Sequence, residues 1–190
     1  MNKLLIQINK IPKKYYSLTD LKKVSQLGGE SLKVALSRLI KNNLLFKLAP
    51  AMFTVDPSLV DWEKFALEAY GPSYLSCEWI LAKNGILSQK TYSPTMVTSK
   101  RSRVIKNENM VLIYHHLKPE LFFGYTLEQG LLEAEQEKAF LDLLYLSLRG
   151  YAKFDQEEMN LDLLDKIKLK KYLKRFENKK MENMVAKIFK

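Results

Sequence analysis

Among 190 residues there is one cysteine, Cys77, and two histidines, the adjacent His115 and His116. A lone cysteine excludes a disulfide framework and points to a reducing compartment. Neighbouring histidines in a strand face opposite ways and cannot share a metal, and no Cys/His group has zinc spacing, so neither metal nor cofactor is expected. Glycine is scarce, at 7 residues. The pair Gly28-Gly29 is followed by Glu30, which is not the continuation of a phosphate-cradling loop. The Glu-x-Lys of restriction-type nucleases fails in register, because Gln136 stands two residues before Lys138. The Gly-Ser and paired-Asp pattern of a nucleotidyltransferase is missing too. No catalytic constellation emerges, and an enzyme is not expected. No stretch approaches the roughly 20 apolar residues of a membrane span. Residues 1–12 lack the apolar core of a signal peptide, Leu4-Leu5-Ile6 being their longest apolar run. A cytoplasmic protein without a membrane partner is the expectation.

Against these absences stand a real core and an uneven charge. With 47% hydrophobic and 11% aromatic residues, disorder is excluded. The net charge of +10 divides as +7 over residues 1–58, −1 over 59–150 and +4 over 151–190. A basic end beside a neutral middle suits a polyanion-binding module joined to a domain with another task.

The stretch Glu30–Asn43 organises the basic end. Leu32, Ala35, Leu36, Leu39 and Ile40 recur as one apolar helical stripe, leaving Lys33, Val34, Ser37, Arg38 and Lys41 opposite. Upstream, Thr19–Gln26 reads as a shorter helix ended by Leu27-Gly28-Gly29, where Gly28 or Gly29 can take the positive φ of a C-terminal cap. Two helices joined by a glycine-containing turn, the second with a basic outer face, form the pattern of a DNA-reading helix-turn-helix. Leu4, Leu5, Ile8 and Ile11 predict a helix before it, and Lys13–Leu18 a short strand. Leu44–Leu48 and Met52–Val55 predict a hairpin around Ala49-Pro50-Ala51. That order is a winged helix-turn-helix over residues 1–58, with Asp56-Pro57-Ser58 as the joint: Pro57 disfavours helix at Asp56 and Ser58 can cap the next helix.

Residues 59–190 predict an α+β domain with a helical tail, so the fold class is α+β throughout. Helices are expected over Asp61–Tyr70, Ser73–Lys83 and Glu135–Leu148. Strands are expected at Pro94–Thr98, Met110–His115, Leu121–Thr126 and Gly130–Ala134, with Ser99–Arg103 connecting the first two. Leu161, Leu164, Ile167, Tyr172, Leu173 and Phe176 predict a basic amphipathic helix, and Met181, Met184, Val185, Ile188 and Phe189 a final one.

Thr19–Val55 resembles the N-terminal winged helix of the AbiEi-like antitoxins of bacterial abortive-infection toxin–antitoxin systems, which act in phage defence. In the second domain, Tyr74–Ile86 resembles their helix ending in Gly plus an aliphatic residue, Val97–Arg103 their basic strand end, and Glu133–Tyr145 their Glu-Lys-Ala-hydrophobic-hydrophobic-Asp-Leu helix. The resemblance covers roughly residues 15–175 and implies a DNA-binding antitoxin and transcriptional autorepressor that opposes a cognate nucleotidyltransferase-type toxin. One departure is the wing, which has Ala49-Pro50-Ala51-Met52-Phe53 where the family commonly carries a basic residue and Gly before an aromatic.

The expected DNA-binding residues are Ser31, Lys33, Ser37, Arg38 and Lys41, with Lys47 on the following strand. Arg38 suits bidentate contact with guanine, and Lys33 and Lys41 suit phosphates as point charges. Arg101 and Arg103 alternate with Ser102 and are expected to project to one side. Together with Glu137, Lys138 and Asp142 they form the expected toxin-neutralising or partner surface. The alternative is a non-catalytic interaction module whose basic surface binds an acidic partner rather than DNA.

Overall fold

A computed structural model describes residues 3–189. The chain forms two compact units: one runs up to Trp62 and takes in Ile105–Met110, and the remainder is the other. Mixed α and β structure runs through both. Among the described residues, no helix is long and apolar enough to cross a membrane.

The first unit opens with α1 (Lys3–Asn9), β1 (Tyr16–Ser17), α2 (Leu18–Ser25) and α3 (Gly29–Lys41), followed by β2 (Phe46–Ala49) and β3 (Met52–Thr54). Helix α2 starts where it does because Ser17 and Asp20 cap each other. The Ser17 hydroxyl accepts the Asp20 N–H at 3.1 Å, and the Asp20 carboxylate takes the Ser17 N–H at 2.9 Å. The positive φ that ends α2 falls on Gln26, at 53°, not on a glycine; Gly28, at φ −63°, is the N-cap of α3. The glycine pair thus opens the second helix rather than closing the first.

Leu32, Leu36 and Leu39 carry the buried side of α3 into a core shared with Leu4, Ile8, Tyr16, Leu21, Leu45 and Phe53. Each such side chain, fully buried, is worth roughly 1.5–3 kcal/mol, which ties α3 to both helices and hairpin. The sheet order is β1-β3-β2, all antiparallel, and Ala51 turns the hairpin at φ 61°. At the joint, Asp56 rather than Ser58 does the capping, its carboxylate accepting the Ser58 N–H at 2.9 Å before the 3₁₀ turn Pro57–Leu59.

The second unit contains α4 (Trp62–Ala69), β4 (Ser73–Leu75), α5 (Cys77–Lys83), β5 (Thr95–Thr98), β6 (Arg103–Lys106), β7 (Val111–His116), β8 (Tyr125–Glu128), β9 (Leu131–Ala134), α6 (Gln136–Leu148), α7 (Lys166–Lys174) and α8 (Lys179–Ile188). Trp62 itself falls in the first unit, as do Ile105 and Lys106 at the end of β6. The sheet order is β6-β7-β5-β4-β9-β8, with β4 antiparallel to β5 and parallel to β9. Helix α6 contacts β9, α5, α7 and α8.

Four expectations shift. Ser73–Leu75 is not helix but β4, buried at all three positions in the middle of the sheet. A short, wholly buried strand has no alternation to distinguish it from a helical start. Arg103 begins a strand rather than ending a connector. In the Leu121–Thr126 stretch, a 3₁₀ turn ends at Leu121 and β8 starts only at Tyr125, after Gly124 at φ 71°. Ile167, expected inside, is 83% exposed, while Leu169 takes the buried place on α7.

The cap of α2 makes a prediction about acid. The Lys13 ammonium, 2.9 Å away, and the Ser17 groups beside it pull the Asp20 carboxyl down to about 2. Its folded value lies below the ordinary one, so its stabilisation is present above about pH 4 and is lost as pH falls through about 2. Asp20→Asn is expected to lower stability at neutral pH by about 1 kcal/mol, the size of a lost cap. Urea midpoints of the two proteins should converge between pH 4 and pH 2. A gap independent of pH would mean that the carboxylate's charge is not what holds the cap.

Candidate nucleic-acid interface and a buried charge network

The buried stripe of α3 fixes what the opposite side presents. Ser31, Lys33, Ser37, Arg38 and Lys41 are all exposed, and so is Lys47 on β2. Val34, 49% exposed, sits among them. Arg38 and Lys41 belong to the last turn of α3. Among the described residues neither is in an ion pair, nor is Lys47. Lys33 differs, since its ammonium lies 2.7 Å from the Glu30 carboxylate. Both partners are well exposed, so this contact is worth at most about 1 kcal/mol and yields easily to a competing anion. Lys13 is engaged at Asp20. The outer face of α3 thus offers hydroxyls, one guanidinium fork and ammonium groups around a small aliphatic patch. That set matches base edges, phosphate oxygens and a thymine methyl.

Arg101 and Arg103 are exposed and lie beside one aromatic ring. The Arg103 guanidinium sits 5.1 Å from the centre of the Tyr70 ring and the Lys100 ammonium 5.4 Å. The Tyr70 hydroxyl donates to the Arg101 carbonyl at 3.2 Å. The His116 N–H donates to the Ser102 hydroxyl at 3.0 Å, and His116 Nδ1 lies 2.8 Å from the Lys100 carbonyl. A carbonyl only accepts, so in this contact Nδ1 carries a proton and donates it. These contacts hold Lys100–Arg103 against the sheet end as a cationic strip.

Glu137, Lys138 and Asp142 are not on that surface. All three are buried in α6, Lys138 and Asp142 completely. The Lys138 ammonium pairs with Asp142 and donates to the Tyr74 hydroxyl at 2.9 Å. The Asp142 carboxylate accepts from Tyr74 at 2.9 Å and from Ser76 at 2.8 Å. The rings of Phe123, Phe176 and Tyr74 stand 4.8, 5.1 and 5.5 Å from the ammonium. Gly124 closes the cage: a Cβ there would meet Lys138 side-chain carbons at 3.1–3.3 Å. Burial pushes the Asp142 carboxyl up and the Lys138 ammonium down, each opposed by the other's charge. Glu137 accepts the Asp165 N–H at 3.0 Å and so holds the N-cap of α7.

The expected partner surface therefore splits. Its two arginines are outside, and its acid–base trio is a structural element of the core. Tyr74, Ser76, Phe123, Gly124 and Phe176 complete that element and were not expected to take part. One signal in the sequence pointed there. The residues Ala139, Phe140, Leu141, Leu143, Leu144 and Leu146 spread over more than half of the helix circumference, more than one apolar neighbour needs, and leave open only the sector of Lys138, Asp142 and Tyr145.

Cys77, also fully buried, has its thiol pushed well up by burial, so it offers no thiolate at neutral pH. Among the described residues no group of three or more His, Cys, Asp or Glu is placed to hold a metal ion. No protein-family model matches the chain, and no curated protein matches it either. What defines the site is its geometry: a helix seated by its apolar stripe, with cations and hydroxyls outward.

Proposed function

We propose that this chain is a cytoplasmic DNA-binding antitoxin and autorepressor of a toxin–antitoxin operon. On this reading the first unit is a winged helix-turn-helix and α3 enters the major groove. The observation that carries it is the outer face of α3, where Arg38, Lys41, Ser31 and Ser37 stand free on the second of two helices joined by a three-residue turn. The one acid of α3, Glu30, lies in its first turn and pairs with Lys33, which leaves Arg38 and Lys41 in the last turn without an acid partner among the described residues. The resemblance to the AbiEi-like antitoxins supports the operon role, with the second unit opposing a nucleotidyltransferase-type toxin. Arg101 and Arg103 then form the surface that serves this second task.

Salt tests the DNA half. With about five cations on phosphates, log K is expected to fall against log salt with a slope near −5. The titration uses the full chain and the DNA upstream of its own gene. A slope near zero would leave an acidic protein as the partner of this face.

A further inference from the structure

Among the described residues, the outward face of α7 has no partner. Leu169 and Leu173 turn inward, and Tyr172 hydrogen-bonds Glu135. Opposite them, Ile167, Lys170, Lys171 and Lys174 fall at i, i+3, i+4 and i+7, one continuous stripe. Ile167 is 83% exposed; Leu163, 46% exposed, belongs to the separate 3₁₀ turn Leu161–Leu163 before the helix. The neighbouring Lys168 is neutralised by Glu135, at 2.8 Å, and by Glu137. Among the described residues, no carboxylate lies within ion-pair distance of Lys170, Lys171 or Lys174. The face thus presents one exposed aliphatic side chain, Ile167, with three ammonium groups in no ion pair along it, Lys171 lying within the field of Glu135.

We propose that this face docks an acidic amphipathic segment of a partner protein, with an aliphatic side chain of the partner on Ile167 and its carboxylates on Lys170, Lys171 and Lys174. Charge complementarity sets the sign of the partner, and the exposed Ile167 at the head of the stripe sets its kind. An apolar centre flanked by charges is the anatomy of a protein interface, where the apolar contact anchors and the rim selects. A nucleic-acid duplex has little use for Ile167, and this face lacks the hydroxyls and the guanidinium fork that α3 presents. One exposed aliphatic side chain is too few to insert into a bilayer, which needs a broad apolar face. The proposal is independent of the DNA reading, because it concerns a different helix and a different ligand.

The test uses the full chain and fluorescence anisotropy with a labelled peptide of about 12 residues, three helical turns. The peptide carries two Leu four residues apart among Asp and Glu, and its control has both Leu replaced by Ser. The Leu peptide is expected to bind, the Ser peptide to bind about tenfold more weakly, and Ile167→Asn to lower binding of the Leu peptide by a similar factor. A triple variant, Lys170→Ala with Lys171→Ala and Lys174→Ala, should lose both the binding and its salt dependence. None of these side chains is buried, and unchanged thermal melting confirms folding. Equal binding of the two peptides, or of Ile167→Asn and the parent, overturns the proposal, as does no binding up to about 1 mM. Random 20-base-pair duplex and vesicles of phosphatidylcholine with phosphatidylglycerol are the other arms. A tenfold loss of duplex affinity in the triple variant would make the face a nucleic-acid contact. Vesicle binding that depends on Ile167 would make it a membrane contact. Either result replaces the protein partner.

Discussion

Lys138→Met is expected to destabilise the chain by about 3–5 kcal/mol, because it leaves the Asp142 carboxylate buried without its counter-charge. Methionine nearly keeps the volume inside the ring of Phe123, Phe176 and Tyr74, so the loss reads charge rather than cavity. Tyr74 and Ser76 still donate to the carboxylate, but two neutral hydroxyls do not balance a full charge in a site with no exposure. Asp142→Asn is the reciprocal case, leaving an ammonium among aromatic rings, and should cost a similar amount. Tyr74→Phe removes one donor and one acceptor and should cost about 1–3 kcal/mol. Replacing both charges, Lys138→Met with Asp142→Leu, should recover only part of the loss, since the Tyr74 and Ser76 hydroxyls then lack their acceptor. Gly124→Ala adds a separate check, because its Cβ would press on Lys138 at a positive φ. Urea unfolding followed by fluorescence and by circular dichroism measures all five. Lys138→Met within about 0.5 kcal/mol of the parent would show that the pair is dispensable. A domain holds only about 5–15 kcal/mol in all, so each charge variant should lose a large share of the total.

If the proposed function holds, Arg38→Ala is expected to weaken binding to the upstream DNA by about 1–3 kcal/mol and binding to random DNA far less, as for a bidentate contact with a base. Lys41→Ala should weaken both DNAs to a similar degree, as for a phosphate contact. Both side chains are exposed and opposite the stripe of Leu32, Leu36 and Leu39, so melting temperatures should stay put. On the proposed function, in cells that co-express a candidate toxin beside a promoter reporter, Arg38→Ala should relieve repression while protection from the toxin persists. Arg101→Ala with Arg103→Ala should do the reverse. If both activities rise and fall together in folded variants, neutralisation runs through DNA binding and the two surfaces are one function. Should Arg38→Ala lower both DNAs equally, Arg38 contacts phosphate and another residue reads the sequence.

The elements of the first unit were legible because each is specified by residues close together in the chain. Helix α3 follows from a stripe of apolar residues at helical spacing, and the hairpin from two short apolar runs around Pro50, while α2 was expected from Thr19 and starts at Leu18 because Ser17 and Asp20 cap it. The exposure of Ser31, Lys33, Ser37, Arg38, Lys41 and Lys47 follows in turn from which side the stripe must bury. Even here the turn was read from residue type, and the positive φ went to Gln26. A side chain can adopt that conformation where the next helix needs its glycine as a cap. The second unit was legible at most of its helices and at β5, β7 and β9, but not at β6, at most of β8, or at β4, whose three residues make sense only between β5 and β9.

Local spacing determined that α3 has a buried and a free side, and that the free side is basic, because an amphipathic helix needs only one apolar neighbour. It also determined that α6 is helical and largely apolar. Only the tertiary structure decided that Glu137, Lys138 and Asp142 lie inside. A helix enclosed by α5, α7, α8 and β9 has no outer side. Its polar residues must then find partners from distant parts of the chain, here Tyr74 and Ser76 around β4, Phe123, and Phe176 just beyond α7. That enclosure also left Ile167 and three lysines of α7 facing outward, since Leu169 and Leu173 are enough to seat the helix on α6.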